Sequence, residues 1–245
     1  MVNGIYTARN GMILLQEMVD NTTNSLANAN TTAFKKSITA SLTESRNRRN
    51  DQGLLHHDES HWMSENRIDW EQGAMVKTDN PMDVAIEGNG FFQVETPDGV
   101  RYTRTGNLTR NGMGEVVTLQ GFKVLDQGGS PIRADGSKLQ VSANGKVTVD
   151  DQAVGQLAVV DFEDRKDLQK DGQNTYKLSD DSTQKPQLAE NFQVKQGYVE
   201  GSNVNVVSSM VELIRFQRNY ELDQKAVLSE DETLQKAVNE IGRLS

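Results

Sequence analysis

The hydrophobic pattern at the N-terminus predicts a helix that packs along a second helix. Apolar and small residues recur there at alternating steps of three and four, which is the a/d seam of heptad packing. The seam positions are Ile5, Ala8, Met12, Leu15, Val19, Thr22, Leu26 and Ala29. Gly11 lies inside this stretch and weakens the helix by about 1 kcal/mol relative to Ala. We therefore expect a long N-terminal helix with one face made for a partner helix.

The C-terminus carries the same alternation from Val206 onward. One seam position is apolar throughout, at Leu213, Tyr220, Val227, Leu234 and Ile241. The other position is apolar at Met210 and Val238 but polar between them, at Gln217, Gln224 and Asp231. Polar residues at such positions weaken a two-stranded coil and set register and partner number. We expect this helix to be one member of a larger assembly.

The central part of the chain has the pattern of short strands separated by tight turns. Turn pairs such as Asn111-Gly112 and Asn144-Gly145 supply the residues that hairpins need, and they separate short alternating runs such as Lys146–Val149. The sequence thus predicts an α+β fold, in which helices at 1–37 and 201–245 form a coiled-coil-like terminal assembly region. A central antiparallel all-β domain is predicted at 73–200, and the polar segment 38–72 is predicted to be an extended loop or linker.

Composition narrows the classes of partner. The net charge of -9 and pI of about 4.9 argue against nucleic acid, because phosphate contacts need clustered Lys and Arg. The sequence contains no cysteine, which excludes disulfides and thiol ligands, and no run of apolar residues suits insertion into a membrane. The N-terminus has no cleavable secretory pattern. Only 35% of the residues are hydrophobic, so part of the chain is expected to be extended, solvated or waiting for a partner.

Candidate chemistry is sparse. His56, His57 and His61 are the only histidines, but their spacing matches no metal-hydrolase signature, so a solvated loop is the favoured interpretation. The glycine-bounded run Glu87–Phe92 lacks the spacing and the helix of a phosphate loop. We therefore predict no catalytic residue, no metal ligand, no cofactor and no enzyme activity. A metal-dependent hydrolase that uses the three histidines remains an alternative.

The amide-rich stretch around Asn24, Asn28 and Asn30 allows two interpretations. Its side chains either form the solvated face of the first helix or donate hydrogen bonds across to neighbouring subunits without the cost of burying a charge. Catalytic sites rarely use several asparagines without an acidic residue, so both interpretations are structural. The sequence alone leaves this choice open.

Three segments resemble the bacterial flagellar rod, hook and hook-associated proteins. The first, NSLANANTTAFKKS (24–37), resembles the N-terminal signature Asn-Asn-Leu-Ala-Asn-x-Asn-Thr-x-Gly-Phe-Lys; it matches at Leu26, Ala27, Asn28, Asn30, Thr31, Phe34 and Lys35 and departs at Ser25 and Ala33. Ala33 replaces the usual Gly, so we expect the turn there to be less tight or αR-like. Residues 78–125 resemble the start of the shared β domain. Residues 196–227 resemble the C-terminal signature, with Asn203, Gln217 and Arg218 among its polar positions.

The resemblance implies a structural function. Subunits of the rod polymerise helically into a shaft that crosses the periplasm and carries torque to the hook, after export by the flagellar apparatus. The implied partners are further copies and other axial rod and hook subunits, and the implied subunit contacts are the helical seams together with Phe34. The opening residues Ile5–Met12 are most similar to the proximal rod type. A distal rod subunit and a secreted adhesin are the remaining alternatives.

Overall fold

The computed structural model describes residues 2–44, 47–49, 55–57 and 61–241. Side chains at 1–7, 40–64, 234, 237, 238 and 240–245 lie outside the described set. The chain divides into two compact units, each built from several segments. The helical unit comprises Met1–Ala27, Ser37–Asp69 and Asn205–Ser245, and the β unit comprises Asn28–Lys36 and Trp70–Val204.

The helical unit consists of two helices and a long hairpin. Helix α1 (Val2–Ala27) packs along α2 (Val206–Ile241), and Asn205 caps α2 because its Oδ1 accepts from the Ser208 N–H at 3.1 Å. Strand β1 (Ser37–Glu44) pairs antiparallel with β4 (His61–Ile68), and the short strands β2 (Asn47–Arg49) and β3 (Leu55–His57) pair with each other. None of the described helices is long and apolar enough to cross a membrane.

The β unit contains sixteen short strands and one turn of 3-10 helix at Arg165–Asp167. The strands are β5 (Met75–Lys77), β6 (Val84–Gly88), β7 (Phe91–Thr96), β8 (Gly99–Thr103), β9 (Leu108–Arg110), β10 (Val116–Thr118), β11 (Lys123–Val124), β12 (Leu139–Val141), β13 (Lys146–Val149), β14 (Gln152–Gln156), β15 (Val159–Asp161), β16 (Leu168–Lys170), β17 (Thr175–Leu178), β18 (Gln187–Leu188), β19 (Phe192–Gln196) and β20 (Tyr198–Glu200).

The largest sheet has the strand order β16-β17-β8-β7-β11-β10-β9, and β15 and β18 extend it from β7. A three-stranded sheet β12-β13-β14 and the pairs β19-β6 and β20-β5 complete the unit. Every pairing among the described strands is antiparallel. The predicted central antiparallel β domain is therefore confirmed.

Strand β7 separates two buried clusters because successive side chains of a strand face opposite ways. Phe92 joins an aliphatic core that includes Ile86, Val94 and Val159. Phe91 faces the other side, where its ring lies 5.2 Å from Trp70 and 5.9 Å from Tyr176. The second, aromatic cluster borders the buried polar groups described below.

The segment 38–72 differs from the extended loop or linker that we expected, because much of it forms the β1–β4 hairpin. Strand β1 alternates apolar and polar residues (Ile38, Ala40 and Leu42 against Thr39, Ser41 and Thr43), which is a strand pattern diluted by its polar positions. The unit boundaries also differ from those predicted, because 28–36 and 201–204 belong to the β unit.

Candidate assembly site

The positions that we predicted as a seam on α1 are shielded from solvent where their side chains are described, and α1 packs along α2. Ala8, Met12, Leu15, Val19 and Leu26 are half-buried, and Thr22 is buried. The helices approach closely at Gly11, where an added Cβ would lie 3.2 Å from Asp223 Oδ2. The small residue therefore has a packing reason that offsets its low helix propensity.

The seam on α2 lies one residue away from part of our prediction. Leu213, Tyr220 and Val227 are half-buried as expected, but the second row of half-buried positions is Phe216, Asp223 and Glu230, with Ser209 fully buried. Gln217, Gln224 and Asp231, which we placed in the seam, are exposed, and Met210 is 48% exposed. In a heptad pattern the second row can lie either three or four residues after each apolar position. In the structure the half-buried row is the one three residues after, and Asp223 of that row lies close to Gly11 of α1. The side chains of Ile5, Leu234, Val238 and Ile241 lie outside the described residues.

The signature segment leaves α1 through a turn that ends at Ala33. The Thr31 N–H donates to the Asn28 carbonyl at 3.1 Å, and the Ala33 N–H donates to the Glu200 carbonyl at 2.8 Å. Ala33 is buried and has a φ of 57°, so our expectation of a less tight or αR-like turn is wrong. This residue adopts the left-handed conformation of the Gly that it replaces, and the surrounding hydrogen bonds hold it there.

A buried ion-pair network follows directly. Lys35 Nζ lies 2.5 Å from Glu200 Oε1 and donates to the Glu71 carbonyl at 2.6 Å; the Lys35 and Glu200 side chains are 1% and 0% exposed. Arg104 Nη1 lies 3.5 Å from Glu200 Oε2, and the Arg104 guanidinium lies 5.2 Å from the centre of the Phe91 ring. The Gly73 N–H donates to Glu200 Oε1 at 3.0 Å. One carboxylate thus holds two buried cations from distant parts of the chain.

Asn203 ties further backbone groups together. Its Oδ1 accepts from the Lys36 N–H at 2.8 Å, its N–H donates to the Phe34 carbonyl at 3.3 Å, and its Nδ2 donates to the Glu71 carbonyl at 3.3 Å. We call Lys35, Arg104, Glu200 and Asn203 the clasp. The clasp joins the segment that follows α1 to the segment that precedes α2, inside the β unit.

Phe34 is covered within its own chain. Lys170 Nζ lies 4.4 Å from the centre of the Phe34 ring and donates to the Lys35 carbonyl at 2.6 Å, while Asn174 Nδ2 donates to the Thr32 carbonyl at 2.9 Å. Phe34 is 6% exposed, so it anchors the signature segment on the β unit. We had grouped it with the residues that contact other subunits, whereas the contacts of its ring described here are intramolecular.

Burial shifts the pKa of the groups around the clasp. Desolvation lowers the pKa of Lys170 to about 8, lowers the pKa of Arg104, and raises the pKa of Tyr176 above its ordinary value. The negative charge of Glu200 acts against the effect on Arg104 and adds to the effect on Tyr176. These shifts indicate that the polar side chains around the clasp are shielded from solvent, which favours one fixed arrangement of those side chains.

The polar signature positions separate into two groups. Asn203 lies in the clasp, and Asn28 Oδ1 accepts from the Thr31 hydroxyl at 3.1 Å. Asn24, Asn30, Gln217 and Arg218 have exposed side chains. The half-buried Ala29, which we placed in the seam, lies in the turn beyond α1.

Two features of the helical and β units were missed by sequence reasoning. Asn21 Nδ2 donates to Thr39 Oγ1 at 2.6 Å and to Asn66 Oδ1 at 2.8 Å, which joins α1 to the β1–β4 hairpin. The pairing of Lys35 with Glu200 spans 165 positions, and no local pattern indicates it.

The three histidines are described by their backbone alone. The side chains of His56, His57 and His61 lie outside the described residues, although the backbone of each is in a strand. Among the side chains that the structure describes, no group of three acidic or histidine residues could hold a metal ion.

Comparison with known proteins gives a consistent result. Residues 195–240 match the family described as "Flagellar basal body rod FlgEFG protein C-terminal", and residues 85–149 match the "Flagellar hook protein FlgE/F/G D1 domain". The flagellar basal-body rod protein FlgF of Caulobacter vibrioides is 32% identical over 249 aligned positions that cover 100% of both chains. The rod protein FlgG of Borreliella burgdorferi is 34% identical over 263 positions (98% of each), and FlgG of Bacillus subtilis is 30% identical over 268 positions (98% and 99%).

Proposed function

The chain belongs to the flagellar basal-body rod protein family, and on that premise we propose that it is a structural subunit of the rod. It assembles with further copies and with other axial subunits of the flagellar basal body. In our proposal the assembly is a helical shaft that crosses the periplasm and transmits torque to the hook. The subunit reaches it through the flagellar export apparatus, without a cleaved signal.

The clasp is the observation that carries this proposal. A torque-bearing subunit needs its long helices fixed firmly to its folded body, since a loose attachment would turn under load. The residues that follow α1 and those that precede α2 are held to each other by Asn203 and by the buried Lys35–Glu200 pair. The chain therefore enters and leaves the β unit through two segments that are fixed to each other.

We assign the subunit to the proximal part of the rod. The resemblance of the opening residues Ile5–Met12 to the proximal type supports this assignment. The distal part is the second candidate. Immunogold labelling or cryo-electron tomography of basal bodies with a tagged chain distinguishes the two, because a label next to the hook would contradict the proximal assignment.

The seam is tested by Leu26→Asp in a strain that lacks the chromosomal copy. Leu26 is half-buried on α1, so a carboxylate there should abolish incorporation into the rod and swimming, while the β unit keeps its thermal transition. Thr23→Asp is the matched control, because Thr23 is exposed one turn earlier and the added charge is the same. Normal swimming of the Leu26→Asp strain would refute the seam.

We propose no catalytic activity for this chain. If the histidines were metal ligands of a hydrolase, replacing His56, His57 and His61 together with Ala would abolish the function of the chain. We expect the triple variant to support normal swimming, and loss of swimming by a protein that still folds and is exported would favour the hydrolase. A secreted adhesin is separated in the same strain, because deletion of an adhesin leaves swimming intact.

A further inference from the structure

Helix α2 carries a second apolar face at its start. Val207, Met210, Val211 and Ile214 are 72%, 48%, 62% and 50% exposed, and their spacing of three, four and seven places them along one side of the helix. At 100° per residue this row, which we call the outer stripe, points away from the half-buried row of Leu213 and Tyr220. Four neighbouring exposed aliphatic residues are unusual on a surface that has no partner.

A groove of matching character lies between α1 and α2. Its apolar floor is formed by Met12, Ile13, Tyr220 and Val227, and its volume is about 540 Å³. Ile13 is 49% exposed on this side of α1. None of the residues that line the groove belongs to the outer stripe, so one chain can offer both surfaces at once.

The lengths of the two surfaces agree. The part of α2 from Met210 to Arg218, which holds Met210, Val211 and Ile214 of the outer stripe, is about 12 Å long at a rise of about 1.5 Å per residue. The α1 side of the groove runs from Arg9 to Glu17, about 12 Å by the same measure. A helix presenting residues at this spacing is the shape that apolar grooves between helices accept.

The charged residues next to the two surfaces indicate which way the docked helix is oriented. Glu17 places a negative charge at one end of the groove, and Arg9 places a positive charge at the other end. On the outer stripe, Arg218 follows Ile214 by one turn, and its side chain is exposed. An arginine of a docked helix at the Glu17 end would form a charge-assisted hydrogen bond with the carboxylate and would lie away from Arg9.

We propose that the outer stripe of one copy docks in the α1–α2 groove of a second copy, with Arg218 bound to Glu17. The inference rests on the proposed function and names the partner at the helical surfaces. Since the two surfaces differ, the contact is heterologous, and repeating it adds copies without limit unless the ring closes. Arg218, exposed in the single chain, thereby acquires a specific ligand.

Engineered cysteines map the contact cleanly because the chain has none of its own. In basal bodies from cells that co-express Ile13→Cys and Ile214→Cys copies, oxidation should give a disulfide-linked dimer of the two. Each variant expressed alone should give little product. Within one chain the two positions are too distant, because Gly11 faces Asp223, and Ile214 is about 13 Å along α2 from there. Thr23→Cys with Ile214→Cys is the matched negative control.

The outcomes separate the two proposals. A dimer of Ile214→Cys alone would indicate that two outer stripes meet each other, and it would overturn the inference. Swimming cells whose Ile13→Cys and Ile214→Cys copies fail to cross-link would also overturn it, while the rod function would stand. Cells that swim normally without any copy of the chain would refute the rod function itself.

A charge exchange tests the ion pair separately. Arg218→Glu and Glu17→Arg should each abolish swimming, and the double variant should restore it, because the exchange rebuilds the pair in the opposite sense. Lys225→Glu is the control on the exposed side of the same helix and should swim. A double variant that swims no better than the two single variants would overturn the assignment of Glu17 to Arg218.

Discussion

Replacement of Lys35 by Met tests the clasp directly. The side chains are similar in length, so the variant removes the charge and the donors while it keeps most of the apolar stem in place. Glu200 loses its 2.5 Å contact and keeps the Gly73 N–H at 3.0 Å and Arg104 at 3.5 Å. Loss of one partner of a buried pair typically costs about 3–5 kcal/mol. Because Arg104 remains, we expect the lower end, about 3 kcal/mol.

Loss of the carboxylate should cost more unfolding free energy than loss of the lysine. Glu200→Gln leaves Lys35 and Arg104 as two buried cations without a carboxylate, so we expect about 4–5 kcal/mol. In a unit of this size about 1 kcal/mol shifts the midpoint by roughly 2–4 °C, so Lys35→Met should lower it by about 6–12 °C. Urea or thermal unfolding can be followed by tryptophan fluorescence, since Trp70 lies 4.9 Å from Tyr176 beside the clasp.

The control is an exposed pair. Lys195 Nζ lies 2.8 Å from Glu87 Oε2 with side chains 39% and 45% exposed, so Lys195→Met should change the unfolding free energy by less than about 1 kcal/mol. The reasoning is refuted if Lys35→Met is as stable as Lys195→Met. It is also refuted if Glu200→Gln proves less damaging than Lys35→Met, since the argument requires the two unpaired cations to cost more.

Three further predictions concern the surroundings of the clasp. Gly73→Ala should destabilise the β unit by more than about 2 kcal/mol in urea unfolding, because the new Cβ would lie 2.0 Å from the Gly201 carbonyl oxygen, whereas the open Gly112→Ala should be nearly neutral. Ala33→Gly should be within about 1 kcal/mol of the natural chain and Ala33→Val clearly worse, since the φ of 57° suits Gly; equal unfolding midpoints for the two would contradict this. The pKa of Lys170 is lowered from 10.5 to about 8, so the unfolded chain binds the proton more tightly and stability should rise between pH 8 and 10. Unfolding midpoints across that range should rise less in Lys170→Met, and equal slopes would exclude the effect.

The sequence predicted the β unit well because its signals are local. Turn pairs such as Asn144-Gly145 determine hairpins within a few residues, and the alternation in Lys146–Val149 identifies the buried positions Val147 and Val149. The hairpin of β1 and β4 was missed for the opposite reason. Its strands are separated by 45–60 and rich in polar residues, so the alternation is diluted, although Asn50, Asp51 and Gly53 between them are turn-forming residues.

The clasp was accessible only in part. The resemblance identified Lys35 and Asn203 as signature positions, but a list of positions gives no partner for either of them. Arg104 and Glu200 also belong to segments that carry the resemblance, but only the folded chain brings them within 3.5 Å of each other. Periodicity does not indicate the partners either, because a single charged residue belongs to no repeating pattern.

The N-terminal signature serves two units, and its variants should therefore fail in different ways. The motif divides after Ala27: Leu26 lies on α1 in the helical unit, and Lys35 lies in the β unit. Leu26→Asp should leave the unfolding of the β unit unchanged and prevent assembly, because Leu26 belongs to the helical unit. Lys35→Met should lower the stability of the β unit. It should affect swimming only to the extent that the segments next to the two helices lose their fixed arrangement. If both variants had the same unfolding midpoint, the division of the motif between assembly and attachment would be wrong.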